Sequence, residues 1–288
     1  MTSTAKLSAL GFCGADDSVN PRLLALIGQN YPLVEFGVLF RPDKEGQPRY
    51  ATKNWVSNLS NLLSKNSNTK VRLAAHLCGS YVNDFLSYGA NDSAKETIDL
   101  FLKQLHDWGF RRVQVNATAV NGVFTENLAY DLTIHSFLSA VRSYPELEFI
   151  VQKNEETSPL WSGLLKAKDM PENMVFLHDE SKGTGKEVAE GWPTDPTFVA
   201  TSKKIVGFAG GIKPSNVKSV VQDTLEASSK SGAREFWIDM ESGVRTTLIN
   251  HDKGCTETKD DVFDLAKCYN VIDIVCELGL MEHPTELR

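Results

Sequence analysis

Eight short runs rich in β-branched and aromatic residues recur along this chain, separated by longer amphipathic stretches, and that alternation limits the folds open to it. The runs cover residues 7–13, 34–40, 71–76, 112–115, 148–152, 174–178, 205–208 and 235–240. Apolar residues three and four apart predict helices over 54–65, 94–108, 134–143 and 215–229, and a closing helix over 261–278. Strand and helix in strict alternation favour a parallel sheet, and eight repeats favour an α/β fold of the (β/α)8 TIM-barrel type over an open doubly wound sheet. A dinucleotide-binding fold would want Gly-x-Gly-x-x-Gly after its first strand, and Cys13-Gly14-Ala15-Asp16 stands there instead. No linker rich in proline, glycine or serine cuts the 288 residues, so 1–288 reads as a single barrel domain with an extended C-terminal helix. The longest unpatterned stretch is 181–203, directly after the sixth run, and a loop of that length in a compact domain is more often functional than idle.

The seventh and eighth runs end in glycine. Val206-Gly-Phe-Ala-Gly210-Gly211-Ile-Lys-Pro214 removes side chains where the backbone turns, so main-chain N–H groups can approach an anion closely. Pro214 suits the first turn of a helix, whose positive end would face the same point. Ser242-Gly243 offers a similar opening after the eighth run. Together they predict a phosphate site at strands 7 and 8.

A net charge of -7 argues against nucleic acid or an anionic membrane as the main partner, because both want a basic surface. The short basic pairs Arg111-Arg112 and Lys203-Lys204 read as solvated ends of elements. Five cysteines, with no Cys-x-x-Cys pair, fit reduced thiols rather than a disulfide framework. Met1 to Ala5 has no apolar leader region, and no stretch approaches the roughly 18 apolar residues of a membrane span, which makes the cytoplasm the expected compartment.

In a barrel, chemistry gathers at the C-terminal ends of the strands. The polar residues there are Cys13, His76, Cys78, Gln114, Asn116, Lys153 and Asp179. A lone cysteine in an apolar strand is ordinarily a small buried hydrophobe. Its place just before Gly14 raises the alternative of a thiolate that abstracts a proton. Aspartate at a strand end commonly caps the next helix or turn, but Asp179 shares a parity with Val175 and Leu177 and would point inward with them. His76 and Cys78 supply two metal ligands where a structural zinc site wants four, so no metal is expected. By parity His178 faces the helices, and Trp192 in the long loop is placed to cover a bound ring.

These residues resemble the phosphoribosylanthranilate isomerase family of tryptophan biosynthesis. Gly11-Phe12-Cys13-Gly14 is similar to that family's Lys-x-Cys-Gly, and Phe36-Gly-Val-Leu-Phe40 leading to Arg49-Tyr50 is similar to its second strand and loop. Lys153, Asp179 with Gly183-Thr-Gly-Lys186, Gly210 to Val217, and Asp239-x-x-Ser242-Gly243-Val244 resemble its fifth to eighth strands. The departures are Gly11 in place of lysine, Gln114-Val-Asn116-Ala117 in place of Gln-Leu-His-Gly, and a gained His76-Leu-Cys78.

The resemblance implies a cofactor-free Amadori rearrangement of a phosphorylated aldose amine to an aminoketose, with Cys13 as base and Asp179 as acid. It implies that Arg49 meets the anthranilate carboxylate, that Gly210, Gly211, Ser242 and Gly243 hold the phosphate, and that Lys153 and Asp239 serve substrate binding. Two alternatives stay open. One is a Schiff-base aldolase acting on a sugar phosphate through Lys153, and the other is a barrel that binds a sugar phosphate without turning it over.

Overall fold

Parallel strands close into a barrel in this computed structural model, which describes residues 4–64, 71–179, 181, 191–199, 204–251 and 257–284. In order around the barrel they are β1 (Lys6–Cys13), β2 (Val34–Phe40), β3 (Arg72–Leu77), β4 (Arg112–Val115), β5 (Glu148–Lys153), β6 (Met174–Asp179), β7 (Ile205–Ala209) and β8 (Glu235–Met240), and β8 pairs back onto β1. The crossovers carry α1 (Pro21–Asn30), α2 (Lys53–Ser64), α3 (Ser80–Leu86), α4 (Asp92–Asp107), α5 (Asp131–Ser143), α6 (Ser158–Leu165) and α7 (Val217–Ser231). Between β6 and β7 the described residues hold a single 3-10 turn, Pro196–Val199. The fold is therefore the (β/α)8 barrel that the alternation predicts. No described helix is long and apolar enough to cross a membrane.

Period-two alternation divides each strand between two cores. Outward residues such as Leu10, Phe12, Phe36, Phe176 and Phe236 are fully buried against the helices. Each such phenylalanine contributes on the order of 1.5–3 kcal/mol by leaving water. Inward residues Ala9, Ile150, Val175, Leu177 and Trp237 form a separate cluster inside the barrel. Helix starts are fixed by polar caps: Asn20 accepts from the Arg22 N–H ahead of α1, and Asn91 accepts from that of Ala94 in α4.

Arg112 is not a solvated charge. As the first residue of β4 it points into the N-terminal end of the barrel, where its guanidinium bonds Glu35 at 2.7 Å and Glu148 at 2.9 Å and lies 4.3 Å over the Trp237 ring. Its neighbour Arg111 is exposed and donates to the carbonyls of His106 and Phe110.

The C-terminal part also departs from expectation. Instead of a helix beginning at residue 261, β9 (Arg245–His251) and β10 (Glu257–Phe263) form an antiparallel hairpin, and α8 spans Leu265–Glu277 behind an Asp264 cap. Thus the closing helix is shorter than the extended one expected. The hairpin is bound to the barrel mouth by charge. Arg245, almost fully buried, meets Asp16 at 2.8 Å and Asp261 at 3.0 Å.

Candidate active site

Closure of the barrel brings most of the sequence-selected residues to one cavity of about 540 Å3 at the C-terminal ends of the strands. Cys13, Asp179, Arg49, Gly210, Gly211, Asp239, Ser242, Gly243, His76, Gln114 and Asn116 all line it. Two do not. Lys153 follows the inward Gln152, so parity turns it out of the barrel, where its Nζ sits 3.8 Å from Asp195 and 5.4 Å over the Trp161 ring. Cys78 is sealed behind the wall, with its Sγ receiving Asn116 Nδ2 at 3.4 Å and facing Asn121 Oδ1 at 3.6 Å. Trp192 packs edge-on against Phe208, on the helix side of β7, away from the cavity that it was expected to cover. His178 does face the helices, stacked on the same Phe208 ring. Gly183 to Lys186 lie outside the described residues.

At the centre, Cys13 Sγ lies 3.2 Å from His76 Nδ1, and His76 Nε2 lies 3.9 Å from Asp239 Oδ2. Glycines make this approach possible. A Cβ on Gly11 would run into Asp239 Oδ1, and one on Gly37 would stand 2.9 Å from His76 Nε2 and 3.0 Å from Cys13 Cβ. Gly11 is where the isomerase family carries lysine, so the departure has a structural consequence: the Asp239 carboxylate occupies the space a larger side chain would need. Burial, followed by the nearby Asp239 and Glu241, pushes the Cys13 thiol up. Burial, aided by Arg112, lowers His76 to about 3 and so keeps its imidazole neutral. For Asp239, burial and then Glu35 and Glu241 raise the pKa to about 8, against the pull of Arg112.

Across the cavity, Asp179 accepts from Gln152 Nε2 at 3.1 Å, Ser181 N at 3.2 Å and Ser181 Oγ at 2.5 Å, which fixes its carboxylate in one orientation. The Oε1 atoms of Gln114 and Gln152 are buried without a hydrogen-bond partner among the described residues. Such acceptors suit the hydroxyl donors of a polar ligand.

At the rim, Gly210 (φ 119°) and Gly211 (φ 63°) turn the chain in conformations that favour glycine. Asn216 clamps that turn by donating to the Gly211 carbonyl at 3.0 Å and accepting from Lys213 N at 2.9 Å. The 3-10 turn Ser242–Val244 packs so closely on it that a Cβ at Gly243 would strike the Ile212 carbonyl. The N–H groups of Gly211, Ile212, Ser242 and Gly243 make no hydrogen bond to another described residue. Helix α7 begins at Val217, so Pro214 belongs to the turn and not to the first helical turn.

Arg49 reaches the cavity but is already engaged. It bonds Glu241 and Asp261 at 2.8 Å each and Ser242 Oγ at 3.1 Å, while its backbone N–H donates to Asp16 at 2.6 Å. Sequence reasoning missed Asp16, Glu241, Arg245 and Asp261, which build this wall. Their signal is only pairwise, between residues up to 229 positions apart, as for Arg245 and Asp16.

Neither a family model nor a curated protein matches this sequence. Solved structures do match in shape. D-psicose 3-epimerase, solved in the presence of D-fructose, has a TM-score of 0.50 at 9% identity, over 93% of this chain and 98% of its own. The DAHP synthase of Thermotoga maritima reaches 0.49 at 11% over 96% and 70%, and XacCel5A reaches 0.49 at 10% over 94% and 99%. At such identities the likeness is one of fold.

Proposed function

We propose that this barrel is an aldose-ketose isomerase acting on a phosphorylated sugar amine, by an Amadori rearrangement. The observation that carries the proposal is the meeting, in one cavity, of a thiol on β1, a carboxyl on β6 and a glycine-lined turn pair after β7 and β8 whose N–H donors have no described partner. The resemblance of the strand-end motifs to phosphoribosylanthranilate isomerase supplies the substrate class. The barrel fold, shared with an epimerase, is compatible with it and does no more.

In this reaction the Asp179 carboxyl gives its proton to the ring oxygen, the C1–O bond breaks, and the nitrogen lone pair forms the iminium. The Cys13 thiolate then takes the C2 proton, and the resulting enolamine tautomerises to the aminoketose. The thiol must lose its proton first; burial opposes both the thiolate and a protonated His76, so His76, with Nδ1 at 3.2 Å from the sulfur, orients the thiol, and the positive iminium is what favours its ionisation. The phosphate would rest on the N–H groups of Gly211, Ile212, Ser242 and Gly243, and the orphan oxygens of Gln114 and Gln152 are available to sugar hydroxyls. For Arg49 to take an anthranilate carboxylate it must give up Glu241 or Asp261, so its binding role is a partner exchange.

The test is turnover of freshly generated phosphoribosylanthranilate, followed by loss of fluorescence. Cys13→Ser and Asp179→Asn should each reduce kcat by about 10²–10⁴-fold. Wild-type protein that binds phosphate ligands but turns nothing over would replace the isomerase by the non-catalytic alternative.

A further inference from the structure

Cys13, His76 and Asp239 come from β1, β3 and β8, and one donor atom of each lies within 4.8 Å of the other two. That spacing is up to about 1 Å wider than the roughly 3.3–3.8 Å between neighbouring ligands of a tetrahedral ion with bonds of about 2.0–2.3 Å, so binding one ion would draw the three side chains together. Neither donor position is accidental, since Gly11 and Gly37 leave the volume that the Asp239 carboxylate and the His76 ring fill.

A second observation concerns the Asp239 carboxyl. The Asp239 residue is only 9% exposed, yet its carboxylate accepts no hydrogen bond from any described residue. Burial disfavours the charged form of this carboxyl, which a proton or a cation can relieve. The three nearby arginines are committed elsewhere: Arg112 to Glu35 and Glu148, Arg49 to Glu241 and Asp261, and Arg245 to Asp16 and Asp261. Thiolate, imidazole and carboxylate together form a donor set suited to zinc, and three protein ligands leave a fourth position.

We propose that Cys13, His76 and Asp239 bind one zinc-class divalent cation at the floor of the cavity, with the fourth coordination position facing the ligand space. Binding releases the thiol proton of Cys13, and the Asp239 proton where it is present, to solvent. His76 ligates through the lone pair of its neutral ring, and the two anionic ligands balance the dication. Binding itself stands apart from the isomerase proposal. One consequence rests on it: the metal holds the thiolate that would serve as base, so zinc loading and isomerisation exclude each other.

The experiment uses the full chain stripped with a chelator, dialysed against zinc chloride, and titrated separately with cobalt(II). One zinc ion per chain is expected, together with a thiolate-to-cobalt charge-transfer band. Cys13→Ser should abolish the band, and His76→Gln and Asp239→Asn should each weaken zinc binding by at least about 100-fold, more than the loss of a side chain that only supports a ligand usually does. Cys276→Ser, at a half-buried thiol on α8, should bind like wild type. Wild type alone gives a further readout, because stoichiometric zinc should protect Cys13 from iodoacetamide even if a variant fails to fold. Absence of stoichiometric zinc, a band that survives Cys13→Ser, or unprotected Cys13 would each overturn the site. Stoichiometric zinc binding by a protein whose metal-free form shows no turnover would leave the site standing and sink the isomerase, while turnover by a protein that binds no zinc would do the reverse.

Discussion

The two ends of the barrel interior treat charge in opposite ways. At the N-terminal end, Arg112 is clamped between Glu35 and Glu148 at 2.7 and 2.9 Å and covers Trp237. At the mouth, Asp239 meets His76 only at 3.9 Å, and the Gln114 and Gln152 oxygens have no described partner. The same strands supply both ends, with residues two or four apart on one face: Arg112 and Gln114 on β4 with Asn116 just beyond it, and Glu148, Ile150 and Gln152 on β5. The first end pairs Arg112 with two carboxylates, though its Nη2 is left without a hydrogen-bond partner, while at the mouth the Asp239 carboxyl and two amide oxygens have none among the described residues. Burial is similar at both, so the difference lies in pairing, which is where stability and function divide.

The largest effect should come from breaking the paired end. Arg112→Met leaves Glu35 and Glu148 buried without a cation, and removing one partner of such a set costs about 3–5 kcal/mol. Urea unfolding would measure this. A loss below about 1 kcal/mol would mean that the two glutamates take up protons freely, and that the clamp contributes little.

A smaller effect separates neutral buried groups from paired ones. Burial first, and then Lys153, lowers His178 to about 3. The unfolded chain binds a proton near the ordinary histidine value of about 6.5, where the folded chain does not, so stability is full above that pH and falls as pH drops toward about 3. His76, also lowered to about 3, acts in the same direction. Each histidine contributes up to about 1.4 kcal/mol per pH unit in that window. His178→Phe should therefore remove about half of the histidine-driven acid loss, giving up to about 2–3 kcal/mol relative to wild type near pH 4.5 and little change near pH 8. Parallel urea midpoints at the two pH values would check it. An equal shift at both would assign the effect to packing against Phe208 instead.

How far the sequence reveals this arrangement depends on the range of the signal. All eight strands are legible to within one residue at each end, because a strand announces itself through local composition and the turns that bound it. Asp179 is legible too, since its parity with Val175 and Leu177 is a local property. The hairpin β9–β10 is not: its second strand, Glu257–Phe263, is rich in charge and is held by Arg49 and Arg245, with only Phe263 at its end buried in the core. Arg112 looks like half of a basic pair because its partners lie 77 and 36 positions away. The vacancy that Gly11 leaves for Asp239 is equally invisible, since it depends on the closure of β8 onto β1.

Lys153 shows the limit from the other side, because parity was available and points outward: Ile150 and Gln152 face the interior, so Lys153 cannot. Its removal should consequently have the smallest effect of all. Lys153→Met would lose an ion pair to Asp195 at 3.8 Å and the contact with the Trp161 ring at 5.4 Å, together worth no more than about 1 kcal/mol. Isomerase turnover should stay within about twofold of wild type, since the ammonium lies outside the cavity where transition-state contacts are made. Borohydride with a ketose phosphate should give no trapped adduct at this lysine. An adduct at Lys153, or a loss of turnover comparable with that of Cys13→Ser, would require β5 to present its other face to the substrate. The division between a paired base and a reactive mouth would then have to be redrawn around that strand.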